Sequence, residues 1–97
     1  SLTHLIFDRN GEYNQKIDIG VLPENLTHLT FGNNYNQIID TCVLSSSLTH
    51  LTFGRKYNQI IDVEVLPKNL KILKVNVNYP HSLDHIPSQI KIIRYDE

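Results

Sequence analysis

A mainly β solenoid of about 22-residue turns, with parallel strands and little helix, is the fold this sequence predicts. Three observations predict it. A Leu-x-x-Leu-x-aromatic or Leu-x-x-Leu-x-Val pattern recurs along the chain, and Tyr13, Tyr35, Tyr57 and Tyr79 stand 22 residues apart. The 97 residues contain no alanine, methionine or tryptophan, while 12 isoleucines and 6 valines together outnumber 12 leucines. That β-branched bias disfavours helices and suits strands.

The first strand is expected in Leu2-Thr3-His4-Leu5-Ile6-Phe7 and the second in Leu26-Thr27-His28-Leu29-Thr30-Phe31-Gly32. Leu48-Thr49-His50-Leu51-Thr52-Phe53-Gly54, Leu70-Lys71-Ile72-Leu73-Lys74-Val75 and a weaker Ile90-Lys91-Ile92-Ile93-Arg94-Tyr95 complete the set. The turns start at 2, 26, 48, 70 and 90, so two extra residues fall between Phe7 and Tyr13 and two are missing between Tyr79 and Ile90. Stacked coils tolerate such changes in their connections. One repeat domain over 1–97, a piece of a longer array, is the expected organisation.

Each strand motif with its 22-residue period matches the strand part of a leucine-rich repeat. A second apolar run follows each tyrosine: Ile17-x-Ile19-x-Val21, Ile39-x-Thr41-x-Val43 and Ile61-x-Val63-x-Val65. Its period of two predicts a second, half-buried strand in every turn. Leu-Pro at 22–23 and 66–67, replaced by Leu-Ser at 44–45, marks the corner into the next turn.

Leu22-Pro23-Glu24-Asn25-Leu26-Thr27-His28-Leu29-Thr30-Phe31-Gly32-Asn33-Asn34-Tyr35-Asn36-Gln37-x-Ile39 resembles the FNIP repeat, a leucine-rich-repeat relative of social amoebae and giant viruses. The resemblance spans essentially the whole chain and is tightest over 26–69. Tyr stands for the usual Phe before Asn, Ser45 for the corner proline, and Tyr79-Pro80-His81 breaks the Asn-Gln pair. The last copy is therefore expected to be a degenerate cap. The resemblance also implies a substrate-recognition role beside an F-box in a ubiquitin ligase adaptor; no F-box lies in these 97 residues.

Nine basic and 10 acidic side chains give a charge of −1, which argues against general nucleic-acid or membrane binding. No apolar run reaches the ~18 residues of a membrane helix. The single Cys42 excludes an internal disulfide and favours an intracellular, cytoplasmic setting. Serines 45–47 have no flanking glycine of a nucleophile elbow, no glycine loop cradles phosphate, and no Cys–His pair is expected. Asn25-Leu26-Thr27 matches a glycosylation acceptor but falls against a strand. Neither a catalytic constellation nor a cofactor site is expected.

Stacked turns place equivalent residues in columns ~4.8 Å apart. Asn14, Asn36 and Asn58, each followed by Gln, form an expected internal amide ladder that satisfies buried backbone. Asp18, Asp40, Asp62 and Asp84 form a carboxylate column whose repulsion turn N–H donors relieve, a bound calcium being the alternative. His4, His28 and His50 form an outward column beside Thr30 and Thr52; a straight column does not converge on one metal ion. Lys71, Lys74, Lys91 and Arg94 occupy the same outward face in the last two strands. They read either as a receptor for an acidic segment or as charges that protect edge strands.

A non-catalytic protein-interaction module is thus expected, with His4, His28, Thr30, His50, Thr52, Lys71, Lys74, Lys91 and Arg94 as the surface that meets a protein partner. The competing expectation is a structural spacer that self-associates end to end through open edge strands, and a metal-binding repeat is the third.

Overall fold

The computed structural model describes residues 3–18, 20–40 and 43–96. Five short strands run in chain order through one parallel sheet: β1 (His4–Ile6), β2 (His28–Thr30), β3 (His50–Thr52), β4 (Ile72–Asn76) and β5 (Lys91–Tyr95). Parallel neighbours need a crossover, and here it is an extended return, with one 3₁₀ turn at Val63–Val65 as the helical element among the described residues. Each coil is therefore a strand, a turn, a return segment and a corner.

The strands form where Leu and Phe alternate with polar residues. Leu29, Leu51 and Leu73 and, two residues on, Phe31, Phe53 and Val75 point inward and are buried; His28, Thr30, His50 and Thr52 lie on the other face. Register keeps like on like: His4, His28 and His50 are cross-strand partners, as are Leu5, Leu29 and Leu51. Inside the coil the rings stack into one ladder, Phe31–Phe53 at 5.4 Å and Tyr35–Tyr57 at 6.4 Å, with Phe53–Tyr57 joined at 4.0 Å. The tyrosine period is thus the period of a continuous aromatic spine. After Phe53 the backbone passes so close to the preceding coil that a β carbon on Gly54 would overlap the Gly32 carbonyl oxygen, so glycine is required there.

Corners repeat one hydrogen bond: the Leu26, Leu48, Leu70 and Ile90 N–H groups donate to the carbonyls of Pro23, Ser45, Pro67 and Pro87. Where Ser45 replaces proline, its hydroxyl donates to Glu24 O at 2.6 Å and accepts from the Ser47 N–H, locking the same turn by other means.

No second strand forms in the described return segments, contrary to the period-two expectation. Ile17, Ile39 and Ile61 are buried, so the apolar half of that pattern packs as expected. The backbone is spent differently: the Val21, Val43 and Val65 N–H groups donate locally to the carbonyls of Asp18, Asp40 and Asp62. Asp62 also accepts the Glu64 N–H through Oδ1, the Asx geometry that competes with ladder pairing. Ile19, Thr41 and Cys42 lie outside the described residues.

The amide ladder is present but partly solvent-facing, not internal: Asn14 and Asn58 are exposed and Asn36 half-buried. Asn14 Oδ1 accepts the Asn36 N–H at 2.8 Å and Asn36 Oδ1 the Asn58 N–H at 3.0 Å. Gln37 and Gln59 Nε2 donate back to Asn14 and Asn36. Pro80 has no N–H to continue the ladder, and His81 takes the glutamine's place by donating Nε2–H to Asn58 O at 2.6 Å. The ladder ends in the fourth coil.

Two predictions follow from these columns. Asn36→Ala removes an acceptor used by two donors of the next coil and should lower stability by about 1–2 kcal/mol, read as a denaturant midpoint. Asn58→Ala, whose Oδ1 accepts no hydrogen bond among the described residues, should change it by less. Tyr35 is 1% exposed and its hydroxyl has no partner among the described residues. Burial pushes its pKa up to about 12, so stability present below the ordinary value near 10 declines as pH rises from there toward 12. Tyr35→Phe should therefore raise the midpoint at pH 7 and soften the alkaline loss; a lower midpoint at pH 7 would contradict the orphaned hydroxyl.

Candidate interaction surface

The outer face of the sheet carries two rows of side chains. The row nearer the strand starts reads His4, His28, His50, Ile72, Lys91, and the other reads Ile6, Thr30, Thr52, Lys74, Ile93. Lys71 stands just before β4, in the column of Thr27 and Thr49, and its N–H donates to Thr49 O at 2.8 Å. Eight of the nine residues expected on this face are therefore brought together on it.

Arg94 is the exception. The motif alignment places it with Lys74, but the sheet pairs Val75 with Arg94 and Lys74 with Ile93. The cause is at the start of the strand. In earlier coils two consecutive N–H groups share one carbonyl, Thr27 and His28 on Thr3 O, Thr49 and His50 on Thr27 O, Lys71 and Ile72 on Thr49 O. At β5 Lys91 donates to Lys71 O from the first of these positions, and the sheet sets Lys91 itself opposite Ile72. One residue fewer is consumed, and a one-residue slip changes the face of every later side chain. Ile92 packs inward against the core, and Arg94 joins the column of Phe31, Phe53 and Val75, where its Nη1 donates to Tyr79 O at 3.4 Å. It closes the coil end and is not part of the outer basic patch.

The same slip turns Tyr95 onto the outer side. Its hydroxyl donates to Phe53 O at 2.5 Å, and with Ile6, Thr30, Thr52 and Lys74 it lines a cleft of about 540 Å³ at the far edge of the face, walled by Asp8 and Arg9. Motif reading missed Tyr95 and Ile6. Ile6 was legible as the first member of the threonine column, and Tyr95 was hidden by the slip.

The histidines are stacked, ring centroids 4.0 Å apart for His4–His28 and 4.1 Å for His28–His50, each pair within 11° of parallel. Parallel rings do not converge on an ion, and no metal-holding cluster of His, Cys, Asp or Glu occurs among the described residues. His28 is held below the ordinary histidine pKa by desolvation first, then by the neighbouring His50 and His4. The aspartate column lies in the return segments, where Asp40 pairs with Lys16 at 2.8 Å and Asp62 caps the 3₁₀ turn. Among the described residues no helix is long and apolar enough to cross a membrane.

One parallel strand per coil, an inward Leu-aromatic ladder and an extended return define a leucine-rich-repeat-like β-solenoid. The FNIP Repeat model matches residues 1–34, 13–56, 35–75 and 57–94, and the chain belongs to that family. Among solved structures, it is similar to one described as CroV588, a novel circular LRR protein, with 42% identity and a TM-score of 0.81. The match covers 89% of this chain and 13% of that one, so the chain spans a small part of the length of its structural relative. A comparison with curated proteins returns no match.

Because His28 protonates less readily folded than unfolded, stability is full above the unfolded pKa near 6.5 and falls as pH drops below it. Guanidine midpoints should be lower at pH 5.5 than at 7.5, and His28→Gln should narrow the gap. Equal wild-type midpoints would contradict it.

Proposed function

We propose that this protein is a non-catalytic recognition module whose outer sheet face takes an acidic segment of a protein partner. The observation that carries this reading is the state of three lysines. Lys71, Lys74 and Lys91 are exposed on one face, and no ion pair involves them among the described residues, although the chain has more acidic than basic groups. The acidic side chains include the aspartate column of the return segments, and Asp8 lines the cleft at the edge of the outer rows. Charge separated in this way favours an oppositely charged partner and sets its orientation. The strands supply a rigid, regularly spaced platform, so recognition is the sum of several shallow contacts across adjacent coils.

The FNIP resemblance adds a cellular role to this reading: attached to an F-box, such a module would hold substrates for a ubiquitin ligase. That role rests on the family's usual context. The competing structural reading, a coil that associates only with itself, makes a different prediction in the same experiment.

Affinity capture with the wild-type chain is expected to recover a protein that a Lys71→Thr/Lys74→Thr/Lys91→Thr variant of equal melting temperature loses. Arg94→Thr should keep it, because Arg94 lies off the face. Retention by the triple variant would return the lysines to edge protection, and recovery of the chain alone, with mass rising with concentration, would favour self-association.

A further inference from the structure

The hydroxyls beside the histidine row hold one nitrogen of each ring and leave the other free. Thr27 Oγ1 lies 3.1 Å from Thr3 O and Thr49 Oγ1 lies 3.2 Å from Thr27 O. Each of these carbonyls also takes two backbone N–H groups, so the hydroxyl proton is shared between the carbonyl and the other acceptor within its reach. His28 Nδ1 is 2.9 Å from Thr27 Oγ1, and His50 Nδ1 is 2.8 Å from Thr49 Oγ1. Whichever way that proton points, the threonine engages Nδ1 of each ring, and no hydrogen bond engages Nε2 in His4, His28 or His50 among the described residues.

The face of the sheet is thus two different surfaces on either side of histidine ionisation. Deprotonated, the row is a neutral stack of rings with centroids about 4 Å apart and offers a carboxylate no charge. Protonation makes both nitrogens donors, so Nδ1 keeps its threonine and each unengaged Nε2 becomes a charged donor. The groups around the row oppose that charge: each ring faces its neighbours in the row, Lys71 precedes the next strand beside Ile72, and Lys91 ends the row on β5. Lys74 stands in the parallel row, and Asp8 lies beyond that row at the cleft. No carboxylate belongs to the row itself.

We infer that the His4–His28–His50 row is a proton-coupled binding site for the carboxylates of an acidic peptide, continuous with the lysines on the same face. The inference rests on the acidic-partner reading above and divides its labour: Lys71, Lys74 and Lys91 attract at any physiological pH, and the histidines add their charge only when protonated. An incoming carboxylate supplies the counter-charge the row lacks, so binding and proton uptake are the same event. The ligand class follows from this, since a neutral or cationic segment gains nothing from protonation.

The test is titration of the whole chain with a decaaspartate peptide at pH 7.5 and 5.5, at one ionic strength, after circular dichroism shows the fold intact at both. Aspartate stays ionised at both values. Affinity should rise by about tenfold or more at pH 5.5, the effect of one pKa unit of coupling, with net proton uptake seen between buffers of different ionisation enthalpy. NMR titration of the imidazole signals should show the His28 midpoint moving up when peptide is added. Changing His4, His28 and His50 to Gln should abolish the pH dependence and the net proton uptake. The three-lysine variant should bind more weakly at both pH values and keep the ratio. Equal affinity at both pH values with unmoved histidine signals overturns the proton coupling and leaves the acidic-partner reading standing. Absence of binding at both pH values overturns both.

Discussion

Every coil must return its backbone to within one strand spacing of where it began, in register, using about 22 residues. Most other features answer that requirement. Identical residues come to lie over one another, so only side chains that tolerate their own kind as neighbours suit the columns. Leucine and phenylalanine do so by packing, asparagine by donating to and accepting from the coil on each side, and histidine by stacking with its polar edge turned to the threonine. Aspartate does so by spending its carbonyl on a local turn, with Lys16 or the Glu64 N–H engaging the carboxyl in two of the coils. Glycine meets the constraint at Gly54, where two coils come too close for any side chain.

Much of this was legible in the sequence because column chemistry and period are one-dimensional. The spacing of the tyrosines alone gave the length of a coil, and the Leu-x-x-Leu motif placed four of the five strands and their inward residues. What was not legible depended on where backbone hydrogen bonds go. The return segments have the alternation of a strand, yet Asp18, Asp40 and Asp62 divert the N–H groups of Val21, Val43 and Val65 into turns. The shift at β5 turns on whether one or two N–H groups meet a single carbonyl, which leaves no mark in the pattern of apolar residues. Arg94 and Tyr95 exchange faces for that reason. His81 is a related case: it looks like a broken Asn-Gln motif and yet makes the same bond to the preceding coil as the glutamine does.

The outer face inherits its properties from the inner constraint. Its rows are straight because the core columns are straight, so its histidines stack and its threonines donate to the carbonyl of the previous coil. A row of parallel imidazoles is a poor cage for a metal and a good surface for an extended chain, whose successive side chains also alternate at regular intervals. Recognition by a segment crossing several strands is therefore what this geometry serves best.

Arg94 also gives the molecule a direction. The phenylalanine column runs from Phe7 to Phe53 and stops where Val75 and then a guanidinium replace the ring, while the tyrosine column continues from Tyr13 to Tyr79. At that end Tyr79, Leu83, Ile86 and Ile90 are all buried, while at the other end Tyr13 is 40% exposed. The described coils are thus unequal in the surface they leave to water, and the one around Tyr79 should exchange its backbone N–H groups more slowly than the one around Tyr13.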